Sequence, residues 1–398
     1  MSKPTKLPEG WKLVSLGEVG TLINGDRGKN YPSQKDFVDN GVPFINAGHI
    51  QNGEIDFESM NFISRKRFDL LGSGKVKSGD ILYCLRGSLG KTAIIKDIQE
   101  GAIASSLVII RPSEQIRTDY FYRYLASPIG QAEIYKYDNG SSQPNLSAQS
   151  LKQYQLPLPP LEEQRRIAAI LDKADGVRRK RKEAIRLTEE LLKSTFLEMF
   201  GDPVTNPKGW EKIKLGNLCT IVRGGSPRPI NDYLGGSIPW IKIGDATEGD
   251  DIYIHKTAEA IKPDGVKKSR YLEPGSLIFA NCGVSLGFAR ILKIAGCIHD
   301  GWLAFSDLDK SINQIFVLKL LNSITEHFRA IAPDGTQPNL NTTIMKNFEI
   351  PVPPIDLQEK FAVVSHYLTD SIKKNSEMFE QSENLFNSLL QRAFRGEL

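Results

Sequence analysis

Two stretches of the chain carry apolar residues at the three- and four-residue spacing of an amphipathic helix. The first follows Pro160 and continues to Met199 with one glycine and no proline, and its pattern returns 194 residues later from Phe361. This spacing predicts two long helices, each with an apolar stripe. The stripe residues that we expect to pack against the other helix or a partner protein are Ile167, Ile170, Val177, Leu191, Phe361, Val364, Leu368, Leu385 and Leu389.

The segments that precede these helices have a different pattern. Short runs of β-branched and aromatic residues, such as 80–85 and 106–110, are separated by Gly, Pro and Asn, and 118–126 has a helical pattern. Such runs predict strands joined by turns, with helices between them. Each segment is therefore expected to form an α+β domain.

The whole chain repeats itself once. Five short motifs occur twice in the same order, and the distance between equivalent motifs drifts only from 199 to 194 residues. This predicts a tandem duplication of a domain followed by a long helix. The repeated motifs are 10–19 with 209–218, 42–45 with 238–241, 79–90 with 275–287, 143–146 with 337–340, and 157–160 with 351–354. The predicted parts are a domain at 1–158, a helix at 159–200, a second domain at 201–352 and a second helix at 353–398.

A long apolar stripe needs a partner of similar length. A helix of ~35 residues spans about 50 Å, and isolated helices are marginal in water, so the second copy is the obvious partner of the first. The expected fold class is α+β, with two tandem domains separated by a pair of long helices. We expect the helices to form an antiparallel coiled coil with pseudo-two-fold symmetry.

Composition narrows the class of protein. Apolar residues make up 40% and charged residues 25% of the chain, values of a globular protein. The 51 Lys and Arg against 47 Asp and Glu give a net charge of +4, which permits a polyanionic partner without requiring one. No apolar run approaches the ~20 residues of a membrane span, so we expect a soluble cytoplasmic protein with no membrane association.

Candidate catalytic chemistry is sparse. Gly90-Lys91-Thr92 ends like a nucleotide-binding loop, but Leu85 stands where that motif requires glycine, and Phe288 replaces the lysine in the second copy. A glycine turn is favoured over a nucleotide site. The scattered cysteines and histidines favour buried thiols over a metal centre and show no catalytic constellation. They are Cys84, Cys219, Cys282 and Cys297, with His49, His255, His299, His327 and His366.

The two copies differ in their loops. Residues 24–31 and 223–228 are both glycine-rich and basic but unlike each other. Arg reads guanine and Asn or Gln reads adenine, so unlike loops on like scaffolds would read unlike DNA half-sites, although ordinary surface variation remains open. The polar turns 138–143 and 334–337 could contact phosphate or simply lead towards the helix. The candidate DNA-binding residues are Asn24, Arg27, Lys29, Asn30, Arg86, Lys91, Ser142, Gln143, Arg223, Ser226, Arg228, Asn281, Thr336 and Gln337.

A basic run at 178–182 lies within the first helix. Acidic residues flank it on both sides, so the segment is close to charge-balanced. A solvated helix face and a phosphate-binding stripe both remain open.

The ordered succession of motifs resembles the specificity subunit of type I restriction-modification enzymes. The resemblance covers nearly the whole chain in both copies, including 161–166 and the closing segment 389–398. It implies two target recognition domains that read a bipartite, asymmetric site on double-stranded DNA, with the helices as spacer.

The same resemblance implies partners. Two modification (methyltransferase) subunits would dock on the assembly and use S-adenosylmethionine, and restriction subunits would use ATP and Mg. This chain would bind no cofactor or metal and would not be an enzyme. The alternatives are a degenerate nucleotide-binding enzyme and a coiled-coil scaffold.

Overall fold

The computed structural model of the protein describes residues 7–96, 98–137, 146–247, 252–283, 285–332 and 339–398. The chain divides into two compact units: unit 1 comprises Met1–Arg181 with Met378–Leu398, and unit 2 comprises Lys182–Glu377. Each long helix is therefore divided between the units. Each unit consists of one α+β domain together with half of each helix.

Unit 1 contains the first domain, the first part of the first long helix and the last part of the second. Its strands are β1 (Lys12–Ser15), β2 (Gly20–Asn24), β3 (Phe37–Val38), β4 (Val42–Ile45), β5 (Ile50–Gln51), β6 (Glu54–Ile55), β7 (Asn61–Ile63), β8 (Lys75–Val76), β9 (Ile81–Cys84), β10 (Thr92–Ile94), β11 (Gly101–Ile103), β12 (Leu107–Pro112) and β13 (Gln155–Leu158). Its helices are α1 (Leu16–Val19), α2 (Arg65–Asp69), α3 (Thr118–Ala126), α4 (Pro128–Tyr137), α5 (Ala148–Lys152) and α6 (Leu161–Phe200), which continues into unit 2.

Two sheets form the body of unit 1. One has the order β10-β9-β12-β2, and the other has the order β3-β7-β4-β11-β8 with β4 and β11 parallel. Successive residues of β9 point to opposite faces, so Ile81 and Tyr83 enter the apolar cluster beside the long helices while Leu82 and Cys84 enter the cluster between the sheets. Burial on both faces explains why this strand is a continuous apolar run.

Unit 2 repeats the plan. Its strands are β14 (Lys212–Lys214), β15 (Thr220–Arg223), β16 (Leu234–Ile241), β17 (Tyr253–Ile254), β18 (Glu259–Ile261), β19 (Arg270–Leu272), β20 (Leu277–Ala280), β21 (Ala289–Leu292), β22 (Gly296–Ile298), β23 (Trp302–Ser306) and β24 (Glu349–Pro351). Its helices are α7 (Leu215–Leu218), α8 (Pro263–Val266), α9 (Gln314–Ser323), α10 (Thr325–Ile331), α11 (Thr342–Asn347) and α12 (Ile355–Ala393), which ends in unit 1. The sheets are β15-β23-β20-β21-β17 and β18-β16-β22-β19.

A short two-stranded sheet leads into each long helix. Strand β1 pairs with β13 in unit 1, and β14 pairs with β24 in unit 2. A Pro-Pro pair follows in each case, and the helix begins directly after it, where a proline costs no hydrogen bond. The repeated proline motif thus marks the passage from domain to helix.

One buried glutamine in the first turn of each long helix binds that helix to its domain. Gln164 accepts the N–H of Arg117 at 2.8 Å and donates to the carbonyl of Pro159 at 2.9 Å and to that of Gln115 at 3.0 Å. Gln358, 194 residues later, makes the equivalent three bonds in unit 2. Both side chains have no exposed surface, and both N–H groups and the oxygen of each amide have a partner.

The two long helices run antiparallel within unit 1. Arg166 donates to the carbonyl of Leu398 at 2.8 Å, and Arg178, further along α6, pairs with Glu383 at 2.7 Å. The residue numbers of the partners fall as those along α6 rise, so the two segments run in opposite directions. In unit 2, the rings of Phe196 and Phe200 on α6 each pack at 5.3 Å from the ring of Phe361 on α12.

The buried row of the helices differs in part from the predicted stripe. Ile167, Phe361 and Leu368 are buried, and Ile170 and Leu389 are half-buried. Four predicted stripe residues are instead exposed: Val177 (43%), Leu191 (52%), Val364 (37%) and Leu385 (58%). Asp175, Phe196, Ser365, Phe386 and Leu390 hold buried positions instead. Heptad spacing defines a stripe, but charged and aromatic side chains decide which neighbouring row is covered.

None of the helices in the described parts of the chain is both long enough and apolar enough to cross a bilayer.

Candidate nucleic-acid interface

The first predicted loop leaves the end of β2 in unit 1 in a fixed shape. Gly25 comes so close to the carbonyl of Ala104 that a Cβ atom would overlap it. Asp26 accepts the N–H of Gly28 at 2.6 Å and that of Gly72 at 2.7 Å, and these bonds lower the pKa of its carboxyl. The loop is thus held by its own carboxylate.

A cleft of about 380 Å³ in unit 1 brings several candidates together. Asn24, Arg27 and Arg86 line it with exposed side chains, and Gln149 and Lys152 of the α5 region complete its polar wall. Cationic side chains can bind phosphates and amide side chains can hydrogen-bond the edges of bases, so this cleft suits a nucleic acid.

Other candidates in unit 1 lie outside this cleft. Lys29 is exposed, and the amide of Asn30 already donates to the carbonyl of Leu70 at 3.0 Å. Lys91 lines a separate cleft of about 330 Å³ beside Tyr122 and Gln131. Lys91 is close to Arg86 in the sequence, but it does not line the cleft that Arg86 and Arg27 share.

In unit 2, the predicted loop residues meet at Asp300. The carboxylate accepts a hydrogen bond from Ser226 Oγ at 2.7 Å and one from Arg228 Nη2 at 3.3 Å. The backbone carbonyl of Asp300 accepts one from Arg223 Nε at 2.8 Å. His299 Nε2 lies 3.0 Å from the same carboxylate. All three predicted residues of this loop are thus brought to one acidic residue.

The protonation states of this cluster follow from burial and charge. Burial raises the pKa of Asp300, but the hydrogen bonds from Ser226 and Arg228 and the positive charge of Arg228 outweigh it, so the pKa is lowered. Burial lowers the pKa of His299 and outweighs the opposing charge of Asp300, and the charge of Arg228 adds to the lowering. At neutral pH the residue pair is a carboxylate beside a neutral imidazole.

The two units place an arginine at the same backbone carbonyl from different loop positions. Strands β11 and β22 are equivalent, so Ser105 corresponds to Asp300. Arg27 Nη2 donates to the carbonyl of Ser105 at 3.4 Å, and Arg223 donates to that of Asp300. The backbone carbonyl is equivalent in the two units, whereas the side chains around it differ.

Two exposed lysines at equivalent positions were not among the candidates predicted from the sequence. Lys152 and Lys346 are exposed and 194 residues apart, and each stem packs over the glycine of a repeated Leu-Gly motif, Gly17 or Gly216. The repeat itself was the available signal, since both lysines follow the same repeated motif. Asp300 gave no such signal because its partners lie more than 70 residues earlier in the chain.

Asn281 does not face the surface. Its side chain is fully buried and donates to Asn339 Oδ1 at 3.0 Å, and its carbonyl accepts the N–H of Leu340 at 2.8 Å. In unit 1, the N–H of Leu146 binds the carbonyl of Leu85 in the same way. The leucine that closes each repeated motif therefore ties its segment to a strand end. The candidates Ser142, Gln143, Thr336 and Gln337 lie outside the described residues.

The basic run of α6 is partly neutralised within unit 1. Arg178 and Arg179 both pair with the carboxylate of Asp175, at 2.7 and 3.1 Å. Arg179 also binds Glu54 at 2.6 Å. These contacts favour a structural role for both arginines over a phosphate-binding one.

The segment that resembles a nucleotide-binding loop is a hairpin turn. Residues 86–91 connect the antiparallel strands β9 and β10, and Gly87 and Gly90 adopt positive φ angles of 77°. A phosphate-binding loop of that motif requires a strand, a loop and then a helix. The glycines serve the turn.

The chain is thus a doubled α+β protein whose equivalent domains carry unlike basic loops. Residues 8–187 and 207–378 both match the family model for the type I restriction modification DNA specificity domain. The chain belongs to this family. Its members are the DNA-recognition subunits of type I restriction-modification systems and are not themselves catalytic.

Relatives match almost end to end. The type I restriction enzyme MjaIX specificity subunit of Methanocaldococcus jannaschii is 24% identical over 418 residues, which cover 99% of this chain and 94% of the relative. The EcoKI specificity subunit of Escherichia coli K12 is 24% identical over 430 residues, with 99% and 90% covered. The crystal structure of a type I restriction-modification S subunit from M. genitalium shares the fold, with a TM-score of 0.60 at 17% identity over 99% of both chains.

Proposed function

We propose that the domain of each unit reads one half of a split, asymmetric site on double-stranded DNA. The observation that carries this proposal is that equivalent strand ends hold different side chains, Asn24 with Arg27 in unit 1 and Arg223 with Arg228 in unit 2. Equivalent scaffolds approach a duplex in equivalent ways, whereas their loops set the bases that are read. This chain would choose the site, and partner subunits would supply the chemistry.

Lys152 and Lys346 are proposed as phosphate contacts common to both half-sites. They occupy the same scaffold position in both units, so their contribution to affinity would be the same for every sequence. Each lost phosphate contact should reduce the slope of log K against log salt by about 0.9. Lys152→Ala and Lys346→Ala should each show this change in a fluorescence-anisotropy titration, with base preference retained.

The predicted chain divisions complete the proposal. Domains at 1–158 and 201–352 would read the half-sites, and helices at 159–200 and 353–398 would set the unread gap between them. Inserting four residues into each helix adds ~6 Å, close to two base pairs. The expected result is a longer gap between unchanged half-sites, and an unchanged gap would contradict the spacer role.

Partner binding is proposed for the long helices. Val177, Leu191, Val364 and Leu385 leave apolar surface on them that the unit cores do not cover. We propose that two modification subunits, which use S-adenosylmethionine, dock on this assembly in the cytoplasm, and that restriction subunits use ATP and Mg. Native mass spectrometry of the assembled complex measures the ratio, and a single modification subunit per chain would contradict it.

Methylome sequencing tests the main proposal. Cells that carry the partner modification genes should show a split, asymmetric methylated motif only when this chain is present. The motif should be absent without it. If methylation shows no sequence preference, the coiled-coil scaffold becomes the better reading, and if the purified chain binds ATP in a calorimetric titration, the nucleotide-binding alternative does.

A further inference from the structure

The cluster at Asp300 contains a charge that a simple DNA-binding surface would avoid. Its carboxylate lies among Ser226, Arg228 and His299, and it remains ionised at neutral pH because its pKa is lowered. A carboxylate at a surface that contacts only phosphates would oppose binding. Its presence between two arginines therefore needs an explanation.

The cluster is specific to unit 2. The equivalent position in unit 1 holds Ser105, which offers a backbone carbonyl to Arg27 but no carboxylate. The carboxylate of that loop, Asp26, instead binds the backbone N–H groups of Gly28 and Gly72. The difference lies in the side chain at this position, because an arginine donates to the equivalent backbone carbonyl in both units.

Arg228 has the exposure and the geometry of a base-reading group. Its side chain is 78% exposed, and its Nη2 atom donates a hydrogen bond to Asp300 Oδ2 at 3.3 Å. A guanidinium has five N–H groups, so the carboxylate occupies one edge and leaves the others available. Arginine makes its most frequent specific DNA contact with O6 and N7 of guanine.

A carboxylate in this place would contribute orientation and selectivity. A tethered guanidinium has lost part of its rotamer freedom before binding, which lowers the entropic cost of the contact. The negative charge repels nearby phosphates, so it favours a base edge over the backbone as the partner of this cluster. Arg223, held on the carbonyl of Asp300 at 2.8 Å, is ordered by the same residue.

We propose that Asp300 is a positioning residue that orients Arg228, with Arg223 beside it, to read a guanine in the half-site bound by unit 2. This inference rests on the proposed function. It adds the base class that one loop recognises and the residue that sets it. Unit 1 has no carboxylate at this position and would read its half-site without this support.

The test replaces the charge and keeps the shape. Asp300→Asn retains an acceptor for Ser226 but lacks the charge that holds the arginine. The matched control is Glu326→Gln, which removes a carboxylate paired with Arg329 at 2.8 Å in the same unit, away from the loop. Full-length variants are assembled with their partner subunits, and base preference at every position is measured by methylome sequencing and by competition between duplexes with single-base changes.

Asp300→Asn should lower discrimination at one guanine of a single half-site by roughly 1.5- to 5-fold, the range of one exposed ion pair, because Arg228 itself is retained. The other half-site and the salt slope should be unchanged. Arg228→Lys keeps the charge but not the fork, and should relax the same position. Glu326→Gln should behave as the wild type. If Asp300→Asn does not fold, Asp300→Ser introduces the residue found in unit 1 and carries the same expectation.

Each other result overturns the inference. Wild-type preference at all positions in Asp300→Asn, or equal weakening on all sequences, would give Asp300 no positioning role. Relaxation by Arg228→Lys without relaxation by Asp300→Asn would show that Arg228 reads unaided. A wild-type complex without any split motif would instead refute the proposed function, and the two failures are therefore distinguishable.

Discussion

The Asp175→Asn substitution in unit 1 should destabilise that unit through the loss of one buried charge. The Asp175 side chain is 3% exposed and lies within 2.7 to 3.1 Å of Arg123, Arg178 and Arg179. Burial raises its pKa, but the charge of Arg123 and the hydrogen bond from Arg178 outweigh this, so the pKa is lowered. The stabilisation is therefore complete at pH 7 and is lost only as the pH falls through the lowered value.

The magnitude depends on which arginine remains buried. Removal of one member of a buried ion pair costs about 3–5 kcal/mol. Arg178 and Arg179 are 31% and 43% exposed, so water can solvate them in the variant. They also keep their ion pairs with Glu383 and Glu54, and they therefore add little to the cost of the substitution. Arg123 is 9% exposed but retains Asp172 at 2.7 Å. We expect a loss of about 2–3 kcal/mol, at or below the lower end of the range.

The second copy provides a control of opposite sign. Thr369 occupies the position equivalent to Asp175, 194 residues later, and its buried hydroxyl has no hydrogen-bond partner among the described residues. Thr369→Val keeps the shape and removes an unsatisfied polar group, so it should be neutral or stabilise unit 2 by up to about 1 kcal/mol.

Hydrogen exchange measured by mass spectrometry resolves the two units. Asp175→Asn should raise exchange in peptides of α3 and the first half of α6, whereas Thr369→Val should leave unit 2 as protected or better protected. A cost below about 0.5 kcal/mol for Asp175→Asn would refute the reasoning, because it would place the network among solvent-screened surface pairs. Destabilisation by Thr369→Val would show that its hydroxyl is satisfied.

Three further outcomes are expected. Gln358→Leu and Gln164→Leu should each cost about 2–4 kcal/mol in urea denaturation, because three buried groups lose their partner in both units, and unequal costs would contradict the equivalence. Phe394→Ala, which removes a buried ring packed against Tyr120 and Tyr124 of α3, should cost about 3–5 kcal/mol, and a cost below about 1 kcal/mol would mean that this contact is loosely packed. Burial lowers the pKa of His49 and that of His299, so the unfolded state binds more protons than the folded state. The melting temperature should therefore fall as the pH is reduced through about 6.5. His299→Gln should flatten this dependence of melting temperature on pH, and an unchanged dependence would exclude a contribution from His299.

Local patterns were sufficient for the individual elements. The apolar run at 80–85 contains β9 (Ile81–Cys84), and the helical pattern at 118–126 coincides with α3 (Thr118–Ala126). The long helix expected from Leu161 extends to Phe200. In each case the pattern lies within one element, as a continuous apolar run in β9 and as helical spacing in α3 and α6, so no distant contact was needed to recognise it.

The candidate interface was only partly within reach of the same reasoning. Loop composition singled out Arg27, Arg223 and Arg228, and the structure places all three at equivalent strand ends. Nothing in composition separated Asn281, which is buried, from its exposed neighbours. Burial of a polar residue depends on the segment that crosses it, here Asn339 and Leu340.

The duplication, the two long helices and the unlike loops are properties of residue order, and they can be read before any coordinates because they depend on repetition and on spacing along one element. The row of each helix that is covered, and the convergence of Arg223, Ser226 and Arg228 on Asp300, depend on contacts across more than 70 residues of chain. Such contacts form only when strands β15, β22 and β23 are assembled in one domain. Side-chain partners are chosen by proximity in space, and a linear pattern does not contain that distance.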